Sequence, residues 1–309
     1  MKIIGHEKEK ELIRRFLDKN YESYSFLFEG KSSIGKKLIA LQTAKAFLCE
    51  KNEAFGCNEC KSCKLVLDII SNIYENKENP AHPDLKIVFP ENNKEIKINQ
   101  IREIIEFFKV KSVNGKVVII DEAEKMNIEA SNALLKTLEE PPENSMIILV
   151  SSNPSKLLPT ILSRVKRVKF KPLKKEEIIE ILKQKGFDEE KAKKLAVLSE
   201  GSLEIPVAVL DNELIYKYAK DFYNLIVNEN LHPEGIITLS ENIEKLEIKE
   251  IILILDIISI MLEKALLKGQ IKLTIYEKFI NEFERAKISL EKGVKRKLVF
   301  EGLYLNLKT

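Results

Sequence analysis

The sequence predicts an α/β domain built on a parallel sheet, followed by a region made of helices alone. Strand-like and helix-like segments alternate up to about residue 172, and past Pro172 no strand pattern recurs. Directly behind two of the apolar strands lie short loops rich in glycine and lysine or in paired acids. In open parallel sheets ligands bind beyond the carboxyl ends of the strands, where both of these loops fall.

At 309 residues the chain has room for about two or three domains of ~100 to 200 residues each. Its 44% hydrophobic and 32% charged residues, with only 11 Gly and 10 Pro, exclude a disordered chain and fit a largely helical globular one. The formal charge is only +3, from 51 Lys and Arg against 48 Asp and Glu. The average surface therefore does not attract phosphate polymers strongly, and any DNA contact is expected to be local or shared with partners.

The first segment, "MKIIGHEKEKELIRRFLDK", alternates charge with apolar residues at helical spacing. It lacks the uninterrupted apolar stretch of a secretion signal, so a cytoplasmic protein is expected. "SYSFLFEG", Ser23 to Gly30, reads as a short buried strand, and "GKKLIALQTAKAFLC", Gly35 to Cys49, as a helix. A cysteine-bearing insertion follows, then a polar, proline-punctuated loop from Tyr74 to Asp84. "INQIREIIEFFKV" is a helix, "GKVVIIDEA" a strand ending in acids, "IEASNALLKTLEEPP" a helix stopped by Pro141 and Pro142, and "SMIILVSS" another strand.

Beyond Pro172, "KKEEIIEILKQKG", "DEEKAKKLAVLSEG" and "SLEIPVAVL" read as three short helices forming a small domain over 173–209. Helices near 213–228, 243–268 and 274–290 suggest a separate bundle over 210–309. The most apolar run, Ile251 to Leu262, contains Asp256 and is shorter than the ~20 residues that cross a bilayer. It is expected to be a buried helix, with no membrane contact.

Gly30 and Gly35 frame four residues and precede Lys36. Such glycines let backbone N–H groups curl around phosphates, while the next helix offers its positive end and the lysine reaches the outer phosphates. The competing explanation is an ordinary strand-to-helix turn; the flanking strand and helix favour the phosphate loop. A complete loop closes with Ser or Thr, whose hydroxyl ligates magnesium. Here Lys37 stands in that place, and an ammonium group cannot ligate a cation. Binding of ATP or ADP is expected to survive this change, with Mg2+ coordination in doubt and efficient hydrolysis lost.

Asp121 and Glu122 end the strand "KVVII". An aspartate there can hold the metal and a glutamate can orient the attacking water. Such acids are commonly just solvated loop residues, but the upstream loop makes a two-part nucleotide site the better account.

Cys49, Cys57, Cys60 and Cys63 are the whole cysteine complement. Four thiolates so close in sequence suggest a closed, structural Zn2+ site rather than disulfides. An iron–sulfur cluster is the competitor, but one cysteine precedes the triplet and no Cys-Pro follows it. In "LLPTILSRVKRVKFKP" the basic residues suit a solvated strand edge. Beside a nucleotide site, however, Arg164 suits a cation aimed at a phosphate, either its own or a neighbour's.

Several segments run in a recognisable order across residues 3–170: "IIGHEKEKELI", "GKSSIGKK", the cysteine cluster, "HPD" at His82 to Asp84, "VVIIDEAEKM", "SNALLKTLEEPP" and "LLPTILSRV". Together they resemble the AAA+ clamp-loader family of bacterial DNA polymerase III, in particular its delta-prime subunits. The resemblance implies an AAA+ RecA-like domain over 1–172 with the cysteine module at 49–63, a helical lid over 173–209 and a collar over 210–309. It implies a hetero-pentameric ring with gamma/tau and delta subunits, which loads the sliding clamp onto primed DNA using ATP at subunit interfaces.

Carried over by position, Gly30, Gly35, Lys36 and Lys37 match the phosphate loop, Asp121 and Glu122 the acidic strand end, and Ser152 a polar sensor. Ser163 and Arg164 match the arginine-finger motif "SRC", with Val165 in place of the cysteine. Where motor subunits place a second sensor arginine, this chain has Glu204. Lys37 and Glu204 favour a subunit with little ATPase that supplies Arg164 to a neighbour. Intact Asp121 and Glu122 favour the alternative, an ATP-hydrolysing gamma/tau-type motor. A third possibility is a free-standing zinc protein that binds nucleic acid through "RVKRVKFK".

Overall fold

The computed structural model describes residues 3–17, 23–51, 53, 55–75, 81–92, 94–227 and 234–308. The centre of the expected polar loop, 76–80, lies outside them. The chain divides into two compact units, Met1–Glu177 and Ile178–Thr309.

The first unit runs α1 (Glu7–Leu17), β1 (Ser23–Glu29), α2 (Lys36–Phe47), α3 (Lys61–Glu75), β2 (Leu85–Val88), α4 (Ile98–Lys109), β3 (Lys116–Ile120), α5 (Ile128–Glu139), β4 (Ser145–Ser151), α6 (Pro159–Leu162) and β5 (Lys166–Lys169). The strands form one five-stranded sheet in the order β2-β3-β4-β1-β5. Every neighbouring pair is parallel, as predicted.

The central strands are continuous apolar runs because each face of the sheet is covered. On one face Leu27, Val118, Ile120, Ile147 and Leu149 share a core with Ile101 and Ile104 of α4 and Leu134 and Leu138 of α5. On the other, Phe26 meets Phe16 of α1 edge-on, and Tyr24 meets Phe47 of α2. This packing fixes the heights at which β1, β3 and β4 stop. Phe26 lies opposite Ile148 and Val118 opposite Ile147, so the loops after the three strands emerge at the same end of the sheet.

The second unit holds helices alone among the described residues. α7 (Lys175–Gln184) leads into it, followed by α8 (Glu189–Leu198), α9 (Glu204–Asp211), α10 (Leu214–Val227), α11 (Glu234–Ile243), α12 (Ile248–Leu267), α13 (Leu273–Glu291) and α14 (Arg296–Lys308). The expected helix from 243 is in fact split. α11 stops at Ile243, and α12 restarts behind Glu247, whose side chain forms a capping box with Glu250. Ile251, Ile254, Leu255, Ile258 and Leu262 are fully buried along α12. No described helix is long and apolar enough to cross a membrane.

Candidate functional site

The loop between β1 and α2 is shaped by two glycines for different reasons. A Cβ on Gly30 would lie 2.5 Å from the Phe170 carbonyl oxygen, so only glycine lets β5's continuation pass so close. Gly35 caps α2 at φ 97°, in the left-handed region that glycine enters without cost. The first amides of α2 have no partner within the helix and carry its positive end.

Lys36 is buried and folded across this loop, its Nζ donating to the carbonyls of Gly30 at 2.7 Å and Lys31 at 2.6 Å. Burial pushes its pKa down to about 8, against the opposing pull of Glu124 and Asp121. Lys37 reaches the end of β3, where its Nζ lies 2.9 Å from Asp121 Oδ2 and over the Phe89 ring at 5.2 Å. Asp121 Oδ1 accepts the N–H of Glu122 at 3.1 Å.

The two expected strand-end acids thus part ways. Glu122 takes a left-handed backbone, φ 49°, and pairs with Lys125 rather than with the loop. The acid that reaches the site is Glu124, which the sequence reading passed over. Its Oε1 accepts from the backbone N–H of Ser152 at 3.0 Å and from Ser152 Oγ at 2.5 Å. Its Oε2 is buried with no hydrogen-bond partner among the described residues. Burial works against its ionisation, yet the hydrogen bonds from Ser152 and Ser151 hold its pKa below the usual value. Gly30, Gly35, Lys36, Lys37, Asp121 and, through Glu124, Ser152 are therefore brought together.

Arg164 is placed elsewhere. Its described partners are Glu139 at the end of α5, the Thr160 carbonyl and Ser163, none of them in the loop between β1 and α2. The basic strand that follows is engaged internally: Arg167 donates two hydrogen bonds to Glu29 Oε2, and Lys166 lies over Phe16 and Tyr24. Glu204 opens α9 in the other unit, its N–H donating to Ser202 Oγ at 3.1 Å.

The four cysteines form a second centre, with all their sulfurs within 4.8 Å of one another and none in a disulfide. Backbone N–H groups of Cys57, Cys60 and Cys63 point at the sulfurs of Cys49, Cys57 and Cys60, at 3.3, 3.3 and 3.4 Å. Burial drives the Cys63 thiol up, while for Cys49 backbone donors overcome burial and favour the thiolate. Four converging sulfurs with amides aimed at them can hold a metal ion, and no fifth described ligand joins them.

His82 ties this module to the sheet. Its Nδ1 accepts from the Asp84 N–H at 3.0 Å, so its Nε2–H donates to Ser62 Oγ of α3, also at 3.0 Å. The "HPD" segment is thus a clasp between α3 and the start of β2.

A family model described as DNA polymerase III, delta subunit, matches residues 5–174, more than half of the chain. The chain belongs to that DNA polymerase III family. Among curated relatives of this family member, DNA polymerase III subunit delta' of Bacillus subtilis is 33% identical over 211 residues, 68% of this chain and 60% of the relative. Subunit delta' of Pseudomonas aeruginosa is 38% identical over 146 residues, 46% of this chain and 41% of the relative. Subunit tau of Bacillus subtilis is 35% identical over 211 residues, 68% of this chain but 34% of the relative. The match thus spans less than two thirds of each of these proteins.

The crystal structure of a DNA polymerase III gamma subunit-related protein from Thermotoga maritima covers 97% of this chain and 98% of its own, with a TM-score of 0.56 at 19% identity. At that identity the likeness speaks for the fold alone, an α/β domain on a parallel sheet followed by a helical C-terminal region.

Proposed function

We propose that this clamp-loader family member acts as a delta-prime-type subunit with little ATPase of its own, giving Arg164 as an arginine finger to the nucleotide of a neighbouring subunit. The observation that carries the reading is the ion pair between Lys37 and Asp121. It joins the two positions that would hold magnesium in a working phosphate loop, so the groups that support hydrolysis are engaged with each other. The loop then serves as a nucleotide cradle for ATP or ADP with a structural part in the ring.

Partners in this reading are gamma/tau and delta subunits in a hetero-pentamer, and through it the sliding clamp and primed DNA, in the cytoplasm. The lid over 173–209 and the collar over 210–309 are parts of the same proposal. Cys49, Cys57, Cys60 and Cys63 hold a structural Zn2+, which closes the module without offering a position for substrate.

The test is ATP turnover by the isolated chain and by a complex reconstituted with gamma/tau and delta subunits. The isolated chain is expected to be nearly silent while the complex turns over ATP. Rapid hydrolysis by the isolated chain would favour the gamma/tau-type motor, a reading kept in view by the similarity to tau and by the intact Gly30, Gly35 and Lys36.

A further inference from the structure

In a complete phosphate loop, the terminal hydroxyl and the strand-end aspartate hold magnesium against the outer phosphates. Here an ammonium group replaces the hydroxyl and spans to the same aspartate, Lys37 Nζ to Asp121 Oδ2 at 2.9 Å. Asp121 is nearly enclosed, with its side chain only 12% exposed, and its other oxygen accepts the Glu122 N–H. The Phe89 ring, 5.2 Å from Lys37 Nζ, braces the same ammonium group from a second side. Glu122 is turned to Lys125. The residues present do not fit a divalent cation: it would have to break the Lys37 pair and then sit beside the ammonium groups of both Lys36 and Lys37.

The same arrangement suits a polyphosphate that arrives without metal. Its charges would meet Lys36, Lys37 and the amino end of α2, while Glu124 and Asp121 help keep Lys36 protonated. We infer that the loop binds a nucleoside di- or triphosphate free of divalent cation, the Lys37 ammonium taking the position and part of the charge of the missing ion. The inference rests on the loop being a nucleotide site, as proposed above, and adds which form of the nucleotide enters it.

The experiment is equilibrium binding of ADP and of ATP to the full chain, in EDTA and in excess Mg2+. Wild-type affinity is expected to be about tenfold or more tighter in EDTA than in excess Mg2+, because Mg2+ in solution draws off the metal-free nucleotide that the loop takes up. Lys37→Thr, which restores the hydroxyl and frees Asp121, is expected to bind about tenfold or more weakly in EDTA than in Mg2+. Lys37→Arg, which keeps the charge, should keep the wild-type preference for EDTA, and it preserves the comparison should the threonine variant not fold.

Wild-type binding as tight in Mg2+ as in EDTA, or tighter, would overturn the inference and leave the nucleotide site standing. So would a folded Lys37→Thr protein that prefers EDTA as the wild type does. Absence of binding by either nucleotide in both buffers would remove the nucleotide site itself, and the inference with it.

Discussion

Arg164 Nη2 lies 2.5 Å from Glu139 Oε1, and the opposite edge of the guanidinium donates from Nη1 to the Thr160 carbonyl at 2.8 Å. The side chain is thus parked at the end of α5. The Glu139 side chain is 48% exposed, so the pair contributes only ~0 to 1 kcal/mol and can be given up for a phosphate. Guanidinium binds phosphate bidentately, with stronger and better-directed hydrogen bonds.

In the reconstituted complex, Arg164→Ala is therefore expected to lower ATP turnover by ~10³ to 10⁵, equivalent to about 4 to 7 kcal/mol, while assembly measured by size exclusion is unchanged. Glu139→Gln loosens this pair without removing the guanidinium, and should alter turnover by no more than about fivefold. Normal turnover in a correctly assembled Arg164→Ala complex would refute the arginine-finger role.

Lys36 provides a pH signature. Its pKa is about 8 in the empty protein, where burial outweighs the attraction of Glu124 and Asp121. A bound polyphosphate favours the protonated form and raises that pKa. ADP affinity is then flat below pH about 8 and falls by up to about tenfold per pH unit above it, until the bound-state pKa is reached. Calorimetry across this range checks the slope, and Lys36→Arg should flatten it because guanidinium stays charged. The empty protein shows the reverse trend in stability. Its folded pKa lies below the ordinary lysine value of 10.5, so the unfolded chain binds the extra proton and stability rises between about pH 8 and 10.5.

The parts of this molecule that can be read from sequence are those whose physics is local. The runs in β1, β3 and β4 are apolar throughout because both faces are covered, and the glycines and cysteines declare themselves by spacing. β2 went unread because its four residues lie between Pro83 and Pro90, and only pairing to β3 makes "LKIV" a strand. α14 was missed for a similar reason. Its pattern is mixed, and Phe300 finds its partner in Phe222 of α10, 5.3 Å away and far off in sequence. Glu124 was overlooked because one backbone feature, the left-handed Glu122, decides which acid turns toward the loop. The sequence does hold a signal for it: the third acid in "DEAE" is separated from the first pair by a small residue that is buried, Ala123.

The cysteine module should fail as a unit. Native mass spectrometry of the full chain is expected to show bound zinc, lost in Cys63→Ser. Gly56→Ala provides a separate probe, because its Cβ would lie 2.9 Å from Cys63 Sγ at a backbone φ of +80°. It should lower metal content and the thermal midpoint without removing a ligand, at a cost of about 1 to 3 kcal/mol. Full metal retention with an unchanged midpoint would mean that the tight contact is not tied to the metal-bound form.

Both glycines of the loop between β1 and α2 have positive φ, +153° at Gly30 and +97° at Gly35, and they differ in crowding. At Gly35 an added Cβ meets nothing within 4 Å, so Gly35→Ala carries only the cost of φ +97°, about 1 kcal/mol. At Gly30 the Cβ meets the Phe170 carbonyl oxygen at 2.5 Å, with Ile34 and Phe170 side-chain atoms at 3.1 and 3.2 Å. Phe170 cannot yield easily. Its N–H donates to the Glu29 carbonyl at 2.8 Å, and its ring packs on Phe28 at 5.1 Å and on His6 at 5.2 Å. His6 in turn is hydrogen-bonded to the Ile34 carbonyl at 2.8 Å, so displacement at Gly30 spreads back into the loop. Gly30→Ala is accordingly expected to cost about 2 to 3 kcal/mol in urea unfolding, more than Gly35→Ala, and to weaken ADP binding by displacing the carbonyls that hold Lys36. The opposite order of stabilities would mean that the close approach of β5's continuation adds nothing to the backbone strain that both positions carry.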